Sequence, residues 1–231
     1  MLLLGVDLET TGLDTQNDDI IEVGAVVWDT ERKAPVKMYS NLVKTNIPLK
    51  NEIVELTGIH EADISNWGVS LEEAISSFFE ISKKCQYIVA HNGKEFDKKF
   101  FDRAFKSFPQ YQVNLNWIDT MTDLPYPSSI KTRKLTHLAS DHNFLNPFSH
   151  RSLFDVLTMM KVFSNYPIDQ VLEFANSPLV KVIAHVSFDE KDKAKALGFR
   201  WDSNRKIWYS GMREALLNQT EFPFPTSCEA I

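Results

Sequence analysis

The sequence predicts an α/β fold, a sheet covered by helices with a small separate α+β module towards the C-terminal end. Three observations carry this reading. Leu2–Leu8 is an unbroken apolar run, the pattern of a strand buried on both faces. Strand-like segments then alternate with amphipathic stripes at helical spacing. Beyond Val180 the composition shifts: from Val180 to Gly211 seven Lys and Arg stand against four Asp and Glu, a net of +3 in a chain whose net charge is −6.

The elements follow in order. After Leu2–Leu8, Ile20–Trp28 and Val36–Val43 read as two more strands joined by the polar stretch Asp29–Pro35, a meander on one side of the sheet. Ser70 with Glu73 three residues on forms a capping box. The helix it opens carries Leu71, Ala74, Ile75, Phe78 and Phe79 on one stripe. Tyr87–Ala90 is a short strand. A helix from about Lys94 to Phe108 has its stripe at Phe100, Phe101, Ala104 and Phe105. Trp117–Asp119 reads as a fifth strand, Leu135–Ser140 as a short helix and Ser152–Ser164 as a longer one. Residues 1–165 thus form the main domain. Residues 166–179, with two prolines around a short helical pattern, are taken as a linker, and 180–231 as the small module, with a strand at Lys181–Ser187, a helix at Asp189–Leu197 and a strand at Ile207–Tyr209.

Composition bounds the function. With 231 residues, 43% hydrophobic and 24% charged, the chain is globular rather than disordered or low-complexity. The opening Met1-Leu2-Leu3-Leu4 is too short for a signal sequence, and no uncharged apolar run approaches the roughly 18 residues of a membrane span, so a cytoplasmic protein is expected. Cys85 and Cys228 have neither disulfide nor zinc-site spacing. The acidic balance disfavours passive coating of nucleic acid, yet suits an enzyme that uses carboxylates to hold a cation against a phosphate.

Asp7 and Glu9 are two apart on the first strand, so both carboxylates leave one face near its end. In isolation such a pair reads as strand-end carboxylates in solvent. Asp97 lies three and four positions before Phe100 and Phe101, on the inward stripe of its helix, where an Asp is seldom left unpaired. Its other reading is a first-turn acid facing the helix dipole. His150 precedes a helix that carries Asp155 in its first or second turn, a spacing that lets imidazole and carboxylate meet in one cleft.

Asp7-Leu8-Glu9-Thr10-Thr11-Gly12-Leu13, His91-Asn92-Gly93-Lys94-Glu95-Phe96-Asp97 and His150-x4-Asp155 resemble the three motifs of the DEDDh (DnaQ-like) family of 3′→5′ exonucleases. The likeness spans about residues 1–165, includes Leu56-Thr57-Gly58-Ile59, and is nearest to the exonuclease X branch through Trp117–Met121 and Lys131–Leu135. It implies a ribonuclease H-like mixed five-stranded sheet flanked by helices. It further implies two divalent cations, Mg2+ or Mn2+, held by Asp7, Glu9, Asp97 and Asp155, with His150 as general base.

By the same resemblance Thr10, Thr11, Gly12 and Leu13 meet the 3′-terminal nucleotide, although Thr-Thr-Gly also suits a strand-exit turn. Thr57 and Asn92 lie near the substrate, and Phe96 is either a stacking ring or a core ring. Some family members carry His where this chain has Thr57. Lys131, Arg133 and Lys134 read equally as a phosphate contact or a solvated loop. The expected substrate is DNA, single- or double-stranded. RNA trimming and proofreading within a polymerase or repair complex are the alternatives. In the C-terminal module, aromatics interleaved with Lys and Arg suit stacking on single-stranded bases, but in so small a domain Trp201, Trp208 and Tyr209 read first as its core.

Overall fold

The computed structural model describes residues 1–127, 129–130 and 132–230 and divides into two compact units. The first comprises Met1–Met121 with Arg133–Asn165, and the second Thr122–Thr132 with Tyr166–Ile231. No helix is long and apolar enough to cross a membrane among the described residues.

The first unit is built on β1 (Leu2–Thr10), β2 (Ile20–Asp29), β3 (Ala34–Leu42), β4 (Tyr87–Ala90) and β5 (Asn116–Asp119), in the order β3-β2-β1-β4-β5. β1, β2 and β3 pair antiparallel, whereas β1–β4 and β4–β5 are parallel. The sheet is therefore mixed, as expected, and its apolar central strands are buried on both faces. Pro35 lies on the exposed edge strand β3, opposite a register shift at Val27/Trp28, where its missing N–H disturbs least.

Helices cover both faces. α1 (Asn51–Thr57) and α2 (Glu61–Trp67) lead into α3 (Leu71–Ser82), whose N-cap Ser70 accepts from the Glu73 amide. Leu4, Val6 and Leu8 pack with α3 and α4 (Asp97–Ser107) in one core, where Phe78 stacks on Phe101 at 4.4 Å. After α5 (Leu135–Asp141), α6 (Ser152–Phe163) lies on the opposite face.

Two glycines set how closely α6 approaches. A Cβ on Gly24 would stand 2.5 Å from the Ser152 backbone, and one on Gly5 would stand 2.8 Å from the Val156 and Met160 side chains. Helix α6 thus rests on bare backbone of β1 and β2. Gly24 pairs with Asp7 in the ladder, so the helix N-terminus is seated beside that acid.

In the second unit, residues 166–179, expected as a linker, hold a nine-residue helix, α7 (Ile168–Asn176). Val171 and Phe174 of α7 are buried, so the apolar pattern within that stretch packs. β6 (Leu179–Ala184), α8 (Lys191–Ala196), β7 (Arg200–Asp202), β8 (Ile207–Arg213), α9 (Glu214–Leu217) and β9 (Thr226–Ala230) follow, with an antiparallel sheet in the order β7-β8-β6-β9. Segment Thr122–Thr132 joins this unit through Asp123, fully buried and bound by Arg213 at 2.8 Å, while Arg213 also donates to the Ser177 carbonyl. The core is Val182, Ala184, Ala194, Phe199 and Phe224, with Phe199 edge-on to Phe222 and Phe224.

Candidate active site

Asp7 and Glu9 project from β1 on the face that meets α6, and Asp155 rises from the first turn of that helix. One carboxylate oxygen from each can be chosen so that all three lie within 4.8 Å of one another. Asp97, at the start of α4, is buried beside Leu8 of the same strand, whose backbone favours the charged form of its carboxyl against burial. Its Oδ1 is enclosed with no hydrogen-bond partner among the described residues.

Such an arrangement is electrostatically uphill. Burial, and then the charges of Asp97, Glu9, Asp155 and Glu22, hold the Asp7 carboxyl well above the usual carboxylate range. Glu9 is pushed up to about 8 by burial and by Asp155, Glu22 and Asp97, with Arg151 opposing. Asp97 is pushed to about 7, chiefly by burial. Burial also raises Asp155, against hydrogen bonds from the His150 amide and the Asn146 side chain. Several acids forced together, one with an orphaned oxygen, fit hard divalent cations such as Mg2+ or Mn2+: the donors are all oxygen, and positive charge relieves the repulsion.

His150 lies in an exposed loop with φ 63°. Its amide donates to Asp155 Oδ2 at 2.7 Å, and Asn146 Nδ2 donates to Oδ1 at 2.7 Å, so Asp155 fixes the loop that presents the imidazole.

The expected substrate residues are variously engaged. The Thr10 hydroxyl donates to the Gly12 carbonyl, and that of Thr11 donates to Asp18 and accepts from the Asp19 amide. These bonds tie down the loop after β1, and Leu13 projects from it, 84% exposed. Thr-Thr-Gly therefore forms the strand-exit turn, with both hydroxyls occupied. Thr57 is buried, donating to the Ile53 carbonyl and accepting from the Ile59 amide. Asn92 has an exposed side chain at φ 63° and donates its amide to Asp119. Phe96 packs edge-on against Phe100 at the border of the core. Of the basic cluster, Lys131 lies outside the described residues; Arg133 donates to the Met121 carbonyl.

Two supporting acids escaped the motif reading. Glu22 faces Glu9 directly across the β1–β2 ladder, at a register shift, and is 1% exposed. Like charges directly opposite are unfavourable, and here the Arg151 guanidinium at 2.8 Å and the Ser152 amide at 2.9 Å compensate Glu22. Its signal was a lone acid inside the apolar run Ile20–Trp28. Asp119, ending β5, accepts from the amides of Asn92, Lys94 and Met121 and so shapes the turn that delivers Asp97.

A model described as Exonuclease (RNase_T) matches residues 4–163, and one for a domain of unknown function (DUF5710) matches 181–219. A PolC-type DNA polymerase III of Caldanaerobacter subterraneus subsp. tengcongensis is 31% identical over 162 residues, 68% of this chain and 11% of the polymerase. The 3′-5′ exonuclease DinG of Staphylococcus aureus is 28% identical over 235 aligned residues, 96% of this chain and 25% of DinG. The chain thus spans a quarter or less of the length of these curated relatives. Exonuclease X in complex with 5′ overhanging duplex DNA superposes with a TM-score of 0.57 at 19% identity, covering 75% of this chain and 99% of that one. The nuclease domain of 3′hExo, a DEDDh family member bound to rAMP, gives 0.58 at 16% identity, covering 71% and 90%. At these identities the structural likeness is one of fold, the ribonuclease H-like sheet with its helices.

Proposed function

The chain belongs to the exonuclease family of the DEDDh type, and from that premise we propose that it hydrolyses DNA from the 3′ end, releasing nucleoside 5′-monophosphates with the help of two divalent cations, Mg2+ or Mn2+. The observation that carries the reading is the convergence of four acids from β1, α4 and α6, three of them with carboxylate oxygens within 4.8 Å, in surroundings that oppose their charge.

Asp7, Glu9, Asp97 and Asp155 would hold the cations. Bound there, the cations supply acidification of the attacking water and stabilisation of the leaving 3′ oxygen. The protein's own work is positional. Asp155 anchors the loop of His150, whose imidazole takes the proton of the attacking water. The water oxygen bonds to phosphorus, the P–O3′ bond breaks, and the freed 3′ oxygen takes up a proton from solvent, so the shortened strand ends in a new 3′-hydroxyl. Leu13, exposed in the loop that Thr11 and Asp18 tie together, would stand against the terminal base.

A proofreading role beside a polymerase is the second reading, supported by the 31% identity to part of a PolC-type polymerase.

Incubating the full chain with 5′-labelled single-stranded DNA, duplex DNA and RNA, with Mg2+, Mn2+ or EDTA, tests the proposal. A cation-dependent ladder shortening from the 3′ end of DNA is expected. Asp7→Asn should abolish both the ladder and tight cation binding by calorimetry. His150→Ala should slow cleavage by about 10²–10⁴-fold while leaving cation binding in place. Preferential RNA shortening would overturn the choice of DNA, and no cleavage of any substrate would overturn the enzyme.

A further inference from the structure

We propose that the second unit carries a binding groove for single-stranded nucleic acid, formed by Phe188, Trp201 and Trp208 with Lys191, Lys195 and Lys206. These residues line a cleft of about 910 Å³ in the unit matched by the model of unknown function. Its size is at the upper end of the range for ligand clefts, ~300–1,000 Å³.

The aromatics decide the first point. The core of this unit is filled by Val182, Phe199 and Phe224, with Phe222 packed on them. Trp201 is not needed there: it is 49% exposed and lies against Trp208 with ring centroids 5.5 Å apart. Phe188 is 78% exposed. Trp208 has one part on the core and borders the cleft with the rest. Large rings left open beside one another are surfaces for a flat partner, and every nucleobase offers a π-face.

The charges decide the second. Among the described residues the cleft has three lysines and no carboxylate in its lining, within a chain of net charge −6. Lys191 and Lys195 lie one turn apart on α8, over the Phe188 and Trp208 rings at 3.6 and 5.8 Å. Lys195 makes only a 3.8 Å contact to exposed Asp192. Among the described residues Lys191 and Lys206 have no ion-pair partner. Ammonium groups interleaved with open rings match the alternation of phosphate and base along a single strand. A duplex, with its bases stacked inside, offers the rings nothing.

The groove stands beside the exonuclease reading and rests on it only for its role, retention of the strand whose 3′ end is being removed. The test uses the full chain in EDTA, so that binding is read without cleavage. Fluorescein-labelled dT20 is titrated at several salt concentrations, with a 20-base-pair duplex and poly-glutamate as competitors. Trp201→Ala should weaken dT20 binding about 5- to 150-fold. Lys191→Ala/Lys206→Ala, changes at side chains that hold no core, should flatten the salt dependence by about 1.4 in log–log slope. In parallel, hydrolysis of the dinucleotide pTpT with Mg2+ should be unchanged in both variants. Wild-type affinity and slope in the lysine variant overturn the groove, as does competition by poly-glutamate equal to that by dT20, which marks a generic anion site or a peptide partner. A wild-type protein that binds dT20 through these residues yet hydrolyses neither pTpT nor dT20 overturns the exonuclease reading alone.

Discussion

Glu22 and Arg151 act on the acids from opposite directions. Glu22 raises Glu9, and Arg151 lowers it, while the two hold each other at 2.8 Å. Arg151 is also the N-cap residue of α6, next to His150 in the chain, so their bond ties the His150 loop to β2. Breaking it from either side should lower exonuclease turnover by about 10–100-fold, the usual consequence of removing a group that orients metal ligands. The pH dependence separates charge from mere disruption. Glu22→Gln removes a repulsive charge, so Glu9 loses its proton at lower pH and cation affinity persists further into acid. Arg151→Ala removes an attractive one, so the same limb moves to higher pH. Cation titrations from pH 5.5 to 8.5 read this directly, and shifts in one common direction would show that the pair has only a structural role.

At the scale of elements, the seating of α6 on Gly24 is the construction on which the site depends. An added methyl meets backbone of Ser152 and Leu153 at 2.5 and 2.6 Å, besides the Ser152 hydroxyl at 2.7 Å, and the backbone cannot yield by a rotamer change. Gly24→Ala should cost about 1–3 kcal/mol in stability and, by displacing Arg151 and Asp155 together, lose more activity than that stability implies. Gly5→Ala meets side chains of Val156 and Met160, and Met can rotate away; it should be the milder change in both urea melts and turnover. Equal losses in the two would mean that helix placement does not limit activity. The helix itself was legible: Ser152–Ser164 from the sequence stands against Ser152–Phe163 in the structure, because its apolar stripe runs three turns. Strands β1 and β2 were legible for the same reason, long apolar runs bounded by polar turns. α1, α2 and β9 were not. Each seven-residue helix is too short for a period to repeat, and β9 is largely exposed, held by its ladder to β6 rather than by an apolar pattern. The convergence of Asp7, Glu9 and Asp155 could be anticipated because their flanking residues form motifs. Glu22 and Asp119 could not, since their roles lie in cross-strand register and in amides brought together by the turn before α4.

Across the whole molecule, the repulsion within the site should appear as an inverted pH dependence of stability. Burial and mutual repulsion push Glu9 up to about 8 and Asp97 up to about 7 in the folded protein, with Asp7 and Asp155 also raised. In the unfolded chain such groups titrate near about 4. Between these limits the folded state binds more protons than the unfolded one, so its stability is full below pH about 4 from this source and declines as pH rises to 8. Two other sets of groups do not cancel the slope. Asp14, Asp29, Glu190 and Glu229 are lowered, so their contribution is lost only in acid, below the unfolded carboxylate range. His91 is lowered by burial and opposes the slope near its own titration, one group against four. In EDTA, the thermal transition of the nuclease unit should therefore lie higher at pH 5.5 than at pH 8. Mg2+ competes with the same protons, so it should raise the midpoint at pH 8 and do much less at pH 5.5. Asp7→Asn removes one of the mutually repelling charges. It should flatten the EDTA slope and weaken the response to Mg2+ together, which identifies the acids as the source of both. A wild-type midpoint in EDTA that is flat or rises from pH 5.5 to 8 would mean that the carboxylates are not held in mutual repulsion, and the case for cations as their counter-charge would fall with it.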